Sequence, residues 1–196
     1  MYKPTAMQGL PLLLVLALSA YSHAQDLPAV FDQVAASVAE VRVEQLVVTG
    51  TTDKQTAIIT SQGSGVVVSA DGKVITVAHL VQSADTITVH TASGEEIPAK
   101  VIASEPAADV ALLQLERVPR GATPATLGNS DEVRTGQQVF IVGAPYSLHP
   151  TVTVGHISGR RHPQPPFGPF QPAEMFQTDA GMHHGSSGAP LFNMQG

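Results

Sequence analysis

Two adjacent serines framed by glycines, Gly185-Ser186-Ser187-Gly188, stand in the stretch HHGSSGAPLFN. Serine is a weak nucleophile at its free pKa. It needs a neighbouring base, a partner that orients the base, and donors for the oxyanion that develops. Glycines allow the tight backbone that turns amide N–H groups towards one point, so this stretch has the composition of a nucleophile loop. It also has the composition of an ordinary glycine-serine turn. His79, in ITVAHLV, ends an apolar strand whose neighbours predict burial at the edge of a lobe. Asp109, in PAADVALLQLE, opens another apolar strand, an awkward place for an uncompensated charge. Each has a plainer reading, as a structural histidine and as a strand-start aspartate. A second carboxylate, Asp179 in FQTDA, is better placed to brace the loop backbone. His183 and His184 are adjacent on an extended segment and point opposite ways, so they read as surface or pocket-wall residues. They are poor joint ligands for one metal, and no metal site or cofactor is expected.

The elements that must position these residues are strands. LPAVFDQVAASVAEVRV (27–43) places Val30, Phe31, Val34 and Val38 near helical spacing, then alternates through Val41, Val43 and Leu46. This predicts a short amphipathic helix running into a strand. VVTGTTDKQTAIITSQGSG is polar and reads as a loop or hairpin. GSGVVVSADGKVITVAHLV is two β-branched runs about Asp71-Gly72, a strong hairpin signal. Further strands are expected in DTITVHTASGEEIPAKVIAS, turning about Ser93-Gly94, and in DVALLQLE. The polar connector at 116–136 is the expected lobe boundary. Beyond it, QQVFIVGAP and TVTVGHISG read as strands joined by YSLHP, a proline-rich surface loop follows, and EMFQTDA and APLFNMQG supply two more. The pattern is all-β in two lobes, a barrel or sandwich. His79 and Asp109 fall in the first lobe and the serines in the second, which puts the site in the cleft between them.

Composition agrees. Charged residues make up only 13% of the chain, and 17 glycines and 15 prolines suit a turn-rich β protein. The net charge of −6, with no basic run and no tryptophan, argues against a nucleic-acid or anionic-membrane partner. The N-terminus carries Lys3, an apolar run from Leu10 to Ala20, and the small-x-small triplet Ser22-His23-Ala24. This is the pattern of a secretory signal peptide over residues 1–24, and the run is too short to span a bilayer. The absence of cysteine excludes disulfides and a thiol nucleophile, so stability rests on packing.

The order His79, Asp109, Ser187 is the chymotrypsin-type order. With GSGVVVSADGKVITVAHLV, ADVALLQLE, LGNSDEVRTGQQVFIVGAPYSL, TVTVGHISG and FQTDAGMHHGSSGAPLFN, the chain resembles the HtrA/Deg group of trypsin-like serine proteases from about residue 27 onward. The resemblance implies two antiparallel β-barrels packed at an angle, here residues 25–118 with the leading helix and residues 119–196. It implies that Ser187 is the nucleophile, His79 the general base and then acid, and Asp109 the group that orients the imidazole. The backbone N–H groups of Gly185 and Ser187 would form the oxyanion hole, and Gly181 would sit at the base of an uncharged substrate pocket. It implies polypeptide substrates, unfolded envelope proteins among them, in the bacterial periplasm, and a homo-oligomer for the full-length protein.

Ser186 stands where the family usually has Asn or Asp, and Ala189 replaces a common glycine. Both are small and leave Gly185 and Gly188 in place. The family continues past the serine with strands that complete the second barrel, often followed by PDZ domains. The expectation is therefore a C-terminally truncated chain whose second barrel is incomplete and exposes edges. An inactive protease-fold binding or chaperone-like module, or a non-functional fragment, is the alternative to an active endopeptidase.

Overall fold

The computed structural model describes residues 26–49, 55–121, 123–144, 150–161 and 174–196. The expected signal peptide, the YSLHP link and most of the proline-rich loop lie outside the described residues. Among the described residues no helix is long and apolar enough to cross a membrane.

The chain starts with helix α1 (Leu27–Ala35), which buries Val30 and Val34, and enters strand β1 (Val38–Thr49). Val38, at helical spacing from Val34, is instead the first residue of β1, because the helix stops at Ala35. β2 (Gln55–Val67), β3 (Lys73–Thr76), β4 (Thr86–Thr91), β5 (Glu96–Glu105) and β6 (Val110–Leu115) follow, with the one-turn helix α2 (Ala78–Val81) between β3 and β4. These six strands close into a barrel in the order β1-β2-β3-β6-β5-β4. Alternate residues fill it: Val41, Val43, Val67, Val74, Val89, Ile97 and Leu113 are all buried in one cluster. The period-2 alternation seen in the sequence is the inside-outside alternation of these strands.

The segment 47–65, which the sequence suggests is a loop or hairpin, is mostly strand. β1 and β2 pair antiparallel from Val38↔Val66 out to Thr49↔Gln55. β4 accompanies β1 only as far as Glu44↔Thr86, so the outer parts of β1 and β2 form an arm beyond the barrel. Backbone pairing carries this arm, which is why its apolar residues Leu46, Val48 and Ile58 stay exposed.

A polar stretch with a short 3₁₀ turn (Ser130–Glu132) leads to β7 (Gln138–Gly143), β8 (Thr151–Arg161), β9 (Met175–Thr178) and β10 (Leu191–Asn193). They form a second antiparallel sheet in the order β10-β7-β8-β9, which is not closed among the described residues. A second cluster joins α1, the start of β1 and this sheet: Val30, Val34, Val38, Phe140, Val142 and Phe192. The Phe140 and Phe192 rings stack with centroids 5.4 Å apart. The all-β expectation, with one barrel and an incomplete second one, holds.

Candidate active site

His79 does not end a strand. β3 stops at Thr76, and His79 lies on α2, where Ala78 and Val81, three residues apart, are buried in the barrel core. That spacing suits one helical turn rather than a strand. His79 lies between these two anchors and projects outward, its side chain 55% exposed.

Asp109 precedes β6 and has φ 52°, the only positive φ outside glycine among the described residues. Aspartate tolerates this left-handed conformation better than most side chains. The turn before it is closed by Ala108 N–H donating to the Glu105 carbonyl and Asp109 N–H to that of Pro106. The carboxylate then meets α2. Asp109 Oδ1 accepts the His79 backbone N–H at 2.9 Å, and Oδ2 lies 2.8 Å from His79 Nδ1. An ionised carboxylate can only accept, so Nδ1 carries the proton of that bond, and in the neutral imidazole this leaves the lone pair on Nε2. The two bonds fix both the backbone and the ring of the histidine, and Asp109 keeps only 21% side-chain exposure.

Ser187 lies on the loop between β9 and β10, with positive-φ glycines on either side: Gly185 at 90° and Gly188 at 83°. This loop is fastened to the first barrel through Ser64, which is fully buried. Ser64 Oγ donates to the Gly185 carbonyl at 2.7 Å and accepts the Ala144 N–H at 3.0 Å. Ser64 N–H donates to the Ser187 carbonyl at 2.7 Å, and the Ser64 carbonyl accepts Thr76 Oγ1 at 2.8 Å. Gly188 passes so close that a Cβ there would lie 2.2 Å from the Ser64 carbonyl oxygen. The glycine framing seen in the sequence thus meets two needs, left-handed backbone and close approach.

Ser186 is engaged within its own loop, its Oγ accepting the His183 N–H at 3.1 Å and its N–H donating to the His183 carbonyl at 2.9 Å. Asp179 accepts the backbone N–H of His156 on β8, while the carboxylate that holds His79 is that of Asp109. Gly181 sits beside Thr153, whose Oγ1 donates to its carbonyl at 2.7 Å. His79 and Ser187, from opposite lobes, line one cleft of about 380 Å³ whose other walls come from β1, β2 and the segment after α2. Gly181 is not among its lining residues. Ser64 and Thr76 carry no catalytic signature in the sequence. Their one trace is a serine between glycines, GSGVVV, opening an apolar run.

The trypsin-like peptidase domain family matches this chain over residues 63–196. A protein of Ectopseudomonas mendocina (strain ymp) named "Probable periplasmic serine endoprotease DegP-like" is 41% identical over 138 residues, 69% of this chain and 28% of that relative. "Serine protease HTRA2, mitochondrial" of Bos taurus is 40% identical over 138 residues, 69% of this chain and 30% of that protein. Among solved structures, "HtrA-type protease AlgW with tripeptide" aligns with a TM-score of 0.71 at 30% identity, over 84% of this chain and 50% of that one. "HtrA-type protease AlgW with decapeptide" aligns at 0.70 and 28% identity, over 84% of this chain and 55% of that one. The chain thus spans less than a third of the length of these curated relatives. A trypsin-like barrel, an Asp-bound histidine on its rim and a glycine-framed serine loop agree with these matches, whose relatives carry HtrA and DegP names, and the chain belongs to the trypsin-like peptidase family.

Proposed function

We propose that this chain carries the active site of an exported serine endopeptidase that hydrolyses peptide bonds of polypeptides. The observation that carries the reading is the doubly anchored His79, its Nδ1 held by Asp109 and its ring facing the cleft that Ser187 also lines. Ser187 Oγ attacks the scissile carbonyl while His79 Nε2 takes its proton. The same proton then goes to the leaving amine, and Asp109 stabilises the imidazolium in between. The N–H groups of Gly185 and Ser187 receive the developing oxyanion, and the left-handed Gly185 and the Ser64 bonds support that placement. Water repeats the sequence on the acyl-enzyme. No metal or cofactor is required by these steps. Relatives named as periplasmic serine endoproteases support a periplasmic location. Protein quality control there, with unfolded envelope proteins as substrates and a homo-oligomer as the form of the longer protein, rests on the family resemblance of the sequence.

Casein cleavage by the chain and by its Ser187→Ala variant tests this. Turnover is expected to fall by about 10⁴-fold or more on losing the nucleophile. Casein that binds equally to both forms and is cut by neither would make the chain a binding module instead.

A further inference from the structure

Thr76 carries a buried hydroxyl that the steps at Ser187 and His79 do not use. It ends β3, three residues before His79 on α2. β3 pairs with β2 at Val66↔Ile75 and Val67↔Val74 and goes no further. Ser64, two residues before Val66, is therefore left without a strand partner on β3. Its backbone groups are taken up in another way. The N–H donates to the Ser187 carbonyl at 2.7 Å, and the carbonyl accepts Thr76 Oγ1 at 2.8 Å. Gly188 closes over the same point. A Cβ there would lie 2.6 Å from Thr76 Oγ1 as well as 2.2 Å from the Ser64 carbonyl oxygen.

The Thr76 hydroxyl thus ties the segment that carries the base to the residue that holds the nucleophile loop. It also packs against the backbone of Gly188, directly after the nucleophile. Only a short donor fits this place. A carbon atom meets a carbonyl oxygen at about 3.3–3.6 Å. A methyl group in place of the hydroxyl would therefore lengthen the 2.8 Å contact by about 0.5–0.8 Å. Ser64 would carry its bonds to Ser187 and Gly185 with it, away from His79.

We propose that Thr76 is a positioning residue for catalysis, its hydroxyl setting the spacing between the His79 segment and the Ser187 loop. The proposal concerns the same site as the peptidase reading and rests on it.

The test is phosphonylation by an alkyl fluorophosphonate, followed by mass spectrometry of the whole chain. The bond from Ser187 Oγ to phosphorus forms, the P–F bond breaks, fluoride leaves, and the serine proton passes to His79 Nε2. The final labelled fraction counts competent sites, while the rate constant kinact reports how well base and nucleophile are placed in each. Thr76→Val keeps the shape and removes the donor, and kinact is expected to fall by about 10- to 100-fold. KI and the final labelled fraction should stay near the wild-type values. Thr76→Ser, which keeps the hydroxyl, should restore the wild-type kinact. Thr76→Cys, with a weaker donor, repeats the test where Thr76→Val yields no folded protein, and its kinact should lie clearly below that of Thr76→Ser. A wild-type kinact in Thr76→Val or Thr76→Cys, or a loss that Thr76→Ser shares, overturns this inference alone. So does a lower labelled fraction with kinact unchanged, which would leave Thr76 a role in folding only. Wild-type chain that takes up no label at Ser187 overturns the peptidase reading and this inference with it.

Discussion

Ser64 shows how much of a serine loop's geometry is set from outside it. Its hydroxyl bridges the Gly185 carbonyl and the Ala144 N–H, and its backbone holds the Ser187 carbonyl. Ser64→Ala leaves the buried Ala144 N–H without its partner, at a cost of about 1–3 kcal/mol, and releases the half-buried Gly185 carbonyl. The loop then loses a tether beside Ser187, whose amide is one of the two proposed oxyanion donors. Misplacement of a catalytic group by about 1 Å costs about 10²-fold in rate. A fall in kcat of about 10- to 100-fold, with KM nearly unchanged, is therefore expected in steady-state assays of a peptide ester. A matching loss of affinity for a peptide aldehyde, which mimics the tetrahedral adduct, separates this effect from simple loss of folded protein. Neither tether is legible in the sequence, because a buried serine and a surface serine are the same letter. His79 and Asp109 were legible as an unusual pair, but their 2.8 Å contact depends on a left-handed aspartate that no local pattern announces.

At the scale of elements, the turn between β4 and β5 is tied to the segment after β6 by one carboxylate. Glu95 is 6% exposed. Its side chain is held by the Arg117 guanidinium, by the Arg120 backbone N–H at 2.7 Å and by Arg120 Nε at 3.2 Å. The Arg117 hydrogen bond above all, then the Arg120 N–H, pulls the carboxyl from an ordinary 4.5 down to about 2. A depressed folded pKa contributes stability that is present above the unfolded value and lost as pH falls through the folded one. Urea midpoints of the wild type and Glu95→Gln should therefore differ most at neutral pH. The difference should shrink as pH drops from about 4.5 towards about 2. A gap that stays constant over that window would remove the charge from the explanation. The Ser93-Gly94 turn that presents Glu95 was visible in the sequence, as were the barrel strands other than the outer end of β1 and most of β2, because turn residues and period-2 alternation are local signals. Helix α2 was not, since one turn of helix inside an apolar run leaves no periodicity to detect.

Across the whole molecule, the two sheets depend on a shared cluster. Phe140 is fully buried on β7, stacked on Phe192 and packed with Val30, Val34 and Val38 from the N-terminal segment. Phe140→Ala is expected to cost about 3–5 kcal/mol, since the side chain and the cavity it leaves both count. Chemical denaturation followed by Ser187-dependent ester hydrolysis should show folding and activity lost together. The site takes one wall from each lobe, so loosening their contact separates Ser187 from His79. A variant that unfolds earlier yet keeps its activity to the same denaturant concentration as the wild type would show that the cluster does not hold the site.

The sequence by itself determined the all-β class, the strand order along the chain, the lobe to which each chemically competent residue belongs, and the family. All of these follow from local patterning and from motifs whose order is written in the chain. Only the tertiary structure decided how Asp109 grips the histidine, by its ring and its backbone N–H together, that Ser64 bolts the serine loop to the barrel, and that the β1–β2 arm walls the cleft beside His79. These are contacts between residues far apart in the chain. They depend on barrel closure, on strand register and on one left-handed backbone position, and the identity of neighbouring residues encodes none of the three.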